Sequence, residues 1–162
     1  MSSAVPMPGL PLAPDYRPRI VVLVGLPGSG KTTYLERRRL PALSSDAIRS
    51  LLADSESDQT VHGRVFLTLR YLLHHRIAIG RPVTYIDATH LTRQERKPYL
   101  QLGRLYGCPV EALFFDVPLE VCQERNRRRN RVVPDEAMAR MAAKLVPPTV
   151  EEGFATVTVV RE

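Results

Sequence analysis

Gly25-Leu26-Pro27-Gly28-Ser29-Gly30-Lys31-Thr32 constrains the fold of this chain more than any other stretch. It satisfies G-x-x-x-x-G-K-[ST], the pattern of a phosphate-binding loop (P-loop), at every fixed position. Before it runs Ile20-Val21-Val22-Leu23-Val24, an unbroken apolar run of strand length. After it comes Thr33-Tyr34-Leu35-Glu36-Arg37-Arg38, which can continue as a helix. The pattern has meaning only in that setting. A strand must deliver the loop, and a helix must leave it with its N-terminus aimed at the phosphates. The glycines then let backbone N–H groups wrap an anion at a positive dipole end. Gly28, Ser29, Gly30, Lys31, Thr32 and Thr33 are therefore the expected nucleotide contacts. Lys31 would reach the β- and γ-phosphates, and the Thr32 hydroxyl would ligate Mg²⁺. ATP, or another nucleoside triphosphate, and Mg²⁺ are the cofactors this reading requires. The competing reading is a glycine-rich turn that binds nothing; the Lys-Thr pair and both flanks weigh against it.

With 162 residues, 44% of them apolar, the chain suits one compact domain with a real core. No run approaches the ~20 apolar residues that span a bilayer. The N-terminus has neither a basic n-region nor a continuous apolar h-region, so a secretory signal is not expected and a cytoplasmic location is. Residues 1–18 carry Pro6, Pro8, Pro11, Pro14 and Pro18 and read as an extended or disordered tail, with the folded domain over 19–162. Cys108 and Cys122 match neither a redox pair nor a zinc framework and read as small core residues in a reducing compartment. His62, His74, His75 and His90 form no metal-ligand spacing. The net charge of +6 fits a polyanionic partner only weakly. Its distribution says more, because Arg125-Asn126-Arg127-Arg128-Arg129-Asn130-Arg131 is a dense basic run.

Along the chain, short apolar strands alternate with longer helical segments. Strands are expected at 19–24, 41–45, 83–87, 110–116 and 156–160. Helices are expected at 31–39, 46–52, 60–79, from the Thr92-x-x-Glu95 capping box onward, from Pro118 through the arginine run, and at 135–144. Pro98 leaves the continuity of the fourth of these open. Such alternation means a parallel sheet covered by helices on both faces, with ligands bound beyond the carboxyl ends of its strands. Asp46, Asp87, Asp116 and the P-loop all sit at strand ends and are expected to converge on one crevice.

Phosphoryl transfer to a hydroxyl needs held phosphates, neutralised charge, an acceptor placed in line and a base for its proton. Asp46 is the candidate base, and Arg49, three residues on, shares its helix face and can contact an acceptor phosphate. From spacing alone Asp46 is equally a helix N-cap with Ser45. Asp87, closing an apolar strand, resembles a Walker B acid that holds Mg²⁺ directly or through water. Its rival reading is a carboxylate capping a buried turn. Arg125 and Arg129, four apart, share a helical face and can close over the donor phosphates as a lid. Arg127, Arg128 and Arg131 then serve acceptor binding or solubility.

Together these residues resemble the kinase domain of polynucleotide 5′-hydroxyl kinases, above all the bacterial RNA-repair type. The matching blocks are the P-loop, Ser44-Ser45-Asp46 with Arg49, Asp58-Gln59-Thr60-Val61, Asp87-Ala88-Thr89, Arg96-Lys97-Pro98 and Val121-Cys122-Gln123-Glu124-Arg125-Asn126. They span roughly residues 19–145. The resemblance implies an α/β P-loop NTPase fold with an adenylate-kinase-like five-stranded parallel sheet, order 2-3-1-4-5, and an Arg-rich lid. It implies transfer of the γ-phosphate of ATP to the 5′-OH end of RNA or DNA in nucleic-acid end healing and repair. By position, Lys31 and Thr32 become phosphate and Mg²⁺ ligands, and Asp46 becomes the general base. Arg49 becomes a ligand of the acceptor's first phosphate, Arg125 and Arg129 become lid arginines, and Asp87 joins the metal surroundings. A separate phosphatase or ligase is the implied partner. The chain departs from the family at His90, where Asn is expected, and it carries no Asp-x-Asp phosphatase motif.

A small-molecule kinase on the same scaffold, acting on a nucleoside, sugar, antibiotic or toxin-type target, is the alternative, since P-loop folds host many acceptors. A nucleotide-dependent switch without an acceptor is the third reading, and the Asp46–Arg49 pair with the lid arginines argues against it.

Overall fold

The computed structural model describes residues 17–129 and 133–161. The expected Pro-rich tail thus lies almost wholly outside the described residues, as does Arg131 of the basic run. Five parallel strands form one sheet in the order β2-β3-β1-β4-β5. They are β1 (Arg19–Val24), β2 (Ala42–Ser44), β3 (Val83–Asp87), β4 (Val110–Phe115) and β5 (Thr156–Val160). The helices are α1 (Lys31–Arg37), α2 (Ser45–Ala53), α3 (His62–Ala78), α4 (Arg93–Tyr106), α5 (Leu119–Arg127) and α6 (Asp135–Lys144). This is the expected sheet order, and three strands coincide with their expected bounds.

β1 lies at the centre because it is the one strand buried on both faces, from Ile20 to Val24. Its register aligns Val22 with Ile86 of β3 and with Ala112 of β4. On one face Ile20, Val22, Val24, Ile86, Ala112 and Phe114 pack against α2, α3 and α4 through Ile48, Leu69, Leu73 and Tyr99. On the other, Val21 and Leu23 meet Leu35 of α1. A third cluster joins Leu26 of the P-loop and Leu91 to Cys122 of α5 and Met138 of α6. That cluster seats the last two helices beyond the strand ends, where a ligand would lie.

Two helices settle points that bear on the site. Pro98 sits inside a continuous α4, capped by the Thr92 hydroxyl, which accepts from the Glu95 amide. α5 stops at Arg127, so Arg129 lies past its end and does not share a helical face with Arg125. Among the described residues no helix is long and apolar enough to cross a membrane. Both cysteines are buried and unpaired, as expected.

Candidate active site

A cavity of about 730 Å³ opens over the strand ends. The P-loop forms its floor. Gly28 and Gly30 take φ of 81° and 99°, backbone that a side chain disfavours. A Cβ at Gly28 would stand 2.5 Å from the Cys122 carbonyl oxygen of α5. Only glycine lets the loop pass so close to that helix. The Lys31 ammonium folds back over its own loop, donating to the carbonyls of Gly25 at 2.9 Å and Leu26 at 2.8 Å. Burial lowers the Lys31 pKa to about 8, and the nearby Asp87 carboxylate opposes that shift. Those carbonyl contacts stand where phosphate oxygens would otherwise satisfy the ammonium.

Beside the loop, the Thr32 hydroxyl donates to Asp87 Oδ2 at 2.9 Å. Burial raises the Asp87 pKa, opposed by Lys31 and by the Thr32 hydrogen bond. The two predicted Mg²⁺ ligands are therefore adjacent. A hydroxyl and a carboxylate are the hard oxygen donors Mg²⁺ selects, so the residues present fit the ion.

Across the cavity the first turn of α2 carries Asp46. Its N-cap is Ser44, whose hydroxyl accepts from the Ala47 amide at 3.2 Å. Capping is thus Ser44's role, and the reading of Asp46 as the cap falls away. Arg49 Nη1 donates to Asp46 Oδ1 at 3.1 Å. Their side chains are 5% and 42% exposed, so the cation is buried and the carboxylate faces the opening. Arg49 Nε is buried and has no hydrogen-bond partner.

Arg125 Nη1 reaches the Gly28 carbonyl at 3.5 Å, and both Arg125 and Arg129 line the cavity. The charge of Arg129 acts on Lys31 and on Asp87. The two arginines therefore converge on the loop, though from a helix and from the turn beyond it rather than from one face. Arg127 bridges Glu124 and Asp135, and Arg128 bridges Glu124, so both are held at the surface. Asp116 corrects the sequence reading: it pairs with Arg161 and lies outside the cavity wall, while its neighbour Phe115 lines it.

His90, which stands where Asn was expected, is buried in a left-handed conformation with φ of 49°. Its Nδ1–H donates to the Leu23 carbonyl at 2.6 Å, and the Tyr99 hydroxyl donates to its Nε2 at 3.2 Å. It pins the loop after β3 to the strand that feeds the P-loop. The Gly25 amide completes the seam by donating to Thr89 O at 3.0 Å. The residues that sequence reasoning left without a role are Gln59, His62 and Phe66, which form the wall beyond Arg49.

Among the described residues no three His, Cys, Asp or Glu side chains cluster as a metal site. The AAA_33 family, described as an AAA domain, matches residues 20–148. Human L-seryl-tRNA(Sec) kinase is 35% identical over 83 residues, which cover 51% of this chain and 24% of that protein. The chain spans less than two thirds of the curated relatives it matches, 21% and 24% of the mouse and human enzymes. Among solved structures, a chain of the Pnkp1/Rnl/Hen1 RNA repair complex superposes with a TM-score of 0.68 at 21% identity, covering 80% of this chain and 44% of that one. A sugar kinase from Janibacter sp. HTCC2649 gives 0.62 at 22% identity, covering 89% and 85%. At such identities these likenesses are of fold. The matched span, most of the described chain, leads to one assignment: the chain belongs to the AAA_33 family.

Proposed function

We propose that the protein is a polynucleotide kinase that transfers the γ-phosphate of ATP to the 5′-OH end of RNA or DNA. The observation that carries this reading is Asp46 on buried Arg49, facing the P-loop across a single cavity. Gly28 to Thr33 wrap the donor phosphates, and Lys31 exchanges its loop carbonyls for phosphate oxygens. Thr32 and Asp87 would hold Mg²⁺, which when bound would neutralise charge on the phosphates. Arg125 and Arg129 close over the donor. Arg49 orients Asp46 and lends its charge to the acceptor side of the cavity. Asp46 accepts the hydroxyl proton as the oxygen bonds to the γ-phosphorus and the bond to ADP breaks.

Two likenesses support an acceptor carried on RNA. One is to a structure titled as an RNA repair complex, the other to a kinase named for a tRNA. A ligase or phosphatase acting on the same ends is the proposed partner, and the cytoplasm the proposed location. A small-molecule acceptor is the second reading, supported by the likeness to a sugar kinase. Competition separates them. With labelled ATP and Mg²⁺, a 5′-OH oligonucleotide should take the label in the presence of excess nucleosides and hexoses. Label on the small molecules alone would overturn the proposal.

A further inference from the structure

The wall that sequence reasoning passed over lies on the acceptor side of Asp46. His62 and Phe66, one turn apart at the start of α3, hold their rings with centroids 4.8 Å apart and 47° between planes. His62 is exposed and Phe66 half-buried, and both line the cavity. Phe66 is anchored by packing on the main core cluster. The Asp58 carboxylate accepts from the Thr60 amide and hydroxyl and caps the 3-10 turn Gln59–Val61 that leads into α3. The turn and the core therefore hold Phe66 and the backbone beneath His62 in place. Beside it, Arg49 is 4% exposed and its Nε donor is unsatisfied. That buried donor places the Arg49 cation behind the wall, where its charge is poorly screened by water. A π-face, a buried cation behind it and Gln59 lining the same cavity match a ligand that is flat and aromatic at one end and anionic beside it.

We propose that the His62–Phe66 pair is the platform on which the terminal nucleobase of the acceptor stacks, with Gln59 at the edge of that base. The inference rests on the polynucleotide kinase reading and deepens it. Stacking is tolerant of sequence because every base has a π-face, so the platform accepts any terminal base while requiring that one be present.

The test compares two 5′-OH oligonucleotides as acceptors, identical except that one is abasic at its 5′-terminal nucleotide. In the wild type, loss of the base should raise the acceptor KM by about 5- to 150-fold, the range of one base–aromatic stack, with kcat little changed. In His62→Ala, and in Phe66→Leu, which keeps apolar volume but removes the π-face, the KM for the intact acceptor should rise and the abasic penalty should shrink. Equal KM for the two acceptors in the wild type would overturn the platform while leaving the kinase reading in place. A penalty of unchanged size in both variants would also overturn it. Failure of both oligonucleotides to accept phosphate, with a small molecule labelled instead, would remove the kinase reading and the platform together.

Discussion

At the scale of single residues, two side chains show how environment assigns chemistry. Asp46 does not cap α2, because Ser44 takes that role, and Arg49 holds one of its carboxylate oxygens; the proposed mechanism makes it the base. Asp46→Ala should lower transfer by about 10²- to 10⁴-fold, the usual worth of a general base. ATP affinity, measured by calorimetry, should change little. Transfer at the wild-type rate would contradict the assignment. His90 shows the opposite case, a titratable group kept out of the chemistry. Burial lowers its pKa from 6.5 to about 4, despite its bond to the Leu23 carbonyl. The neutral form is thus the folded form. The stability this gives is full above pH 6.5 and is lost as pH falls toward 4, about 3 kcal/mol in all. Urea midpoints between those pH values should fall less steeply for His90→Asn than for the wild type. Parallel pH profiles would show that His90 titrates normally.

At the scale of elements, the P-loop and its flanks were legible because strand, loop and helix each carry their own local signal. The capping box of α4 and the bounds of α6 were legible for the same reason. The end of α5 was not. Five arginines in a run carry no stop signal, and what ends the helix near Arg127 is tertiary: Arg127 binds Asp135, and the Asn126 side chain bonds both backbone groups of Val133. Arg96 was equally illegible. It was quoted as part of a motif, but the structure makes it a clamp. Fully buried, it binds both carboxylate oxygens of Glu152, at 3.0 and 2.9 Å, and the carbonyls of His90, Leu91 and Val146. It ties the loop beneath the P-loop to the segment following α6. Glu152→Ala strands a buried cation and should cost about 3–5 kcal/mol, read as a lower urea midpoint. A loss below about 1 kcal/mol would mean that water reaches the guanidinium.

At the scale of the whole molecule, sheet order follows from one central strand buried on both faces and from parallel connections through helices. Those facts gather the P-loop, the Thr32–Asp87 pair, Asp46 with Arg49, and Arg125 and Arg129 at the strand ends without any long-range sequence signal. They leave the acceptor open, because P-loop folds host many acceptors. Under the proposed function, the wall of Arg49, Gln59, His62 and Phe66 is where the choice would be made. The most direct measurement is the position of the transferred phosphate. A 5′-OH RNA oligonucleotide is incubated with γ-labelled ATP and Mg²⁺, then digested to mononucleotides. The label should be recovered in the 5′-phosphate of the terminal nucleotide. Label at any other position of the RNA, or ATP turnover with no phosphorylated acceptor, would contradict a polynucleotide 5′-kinase.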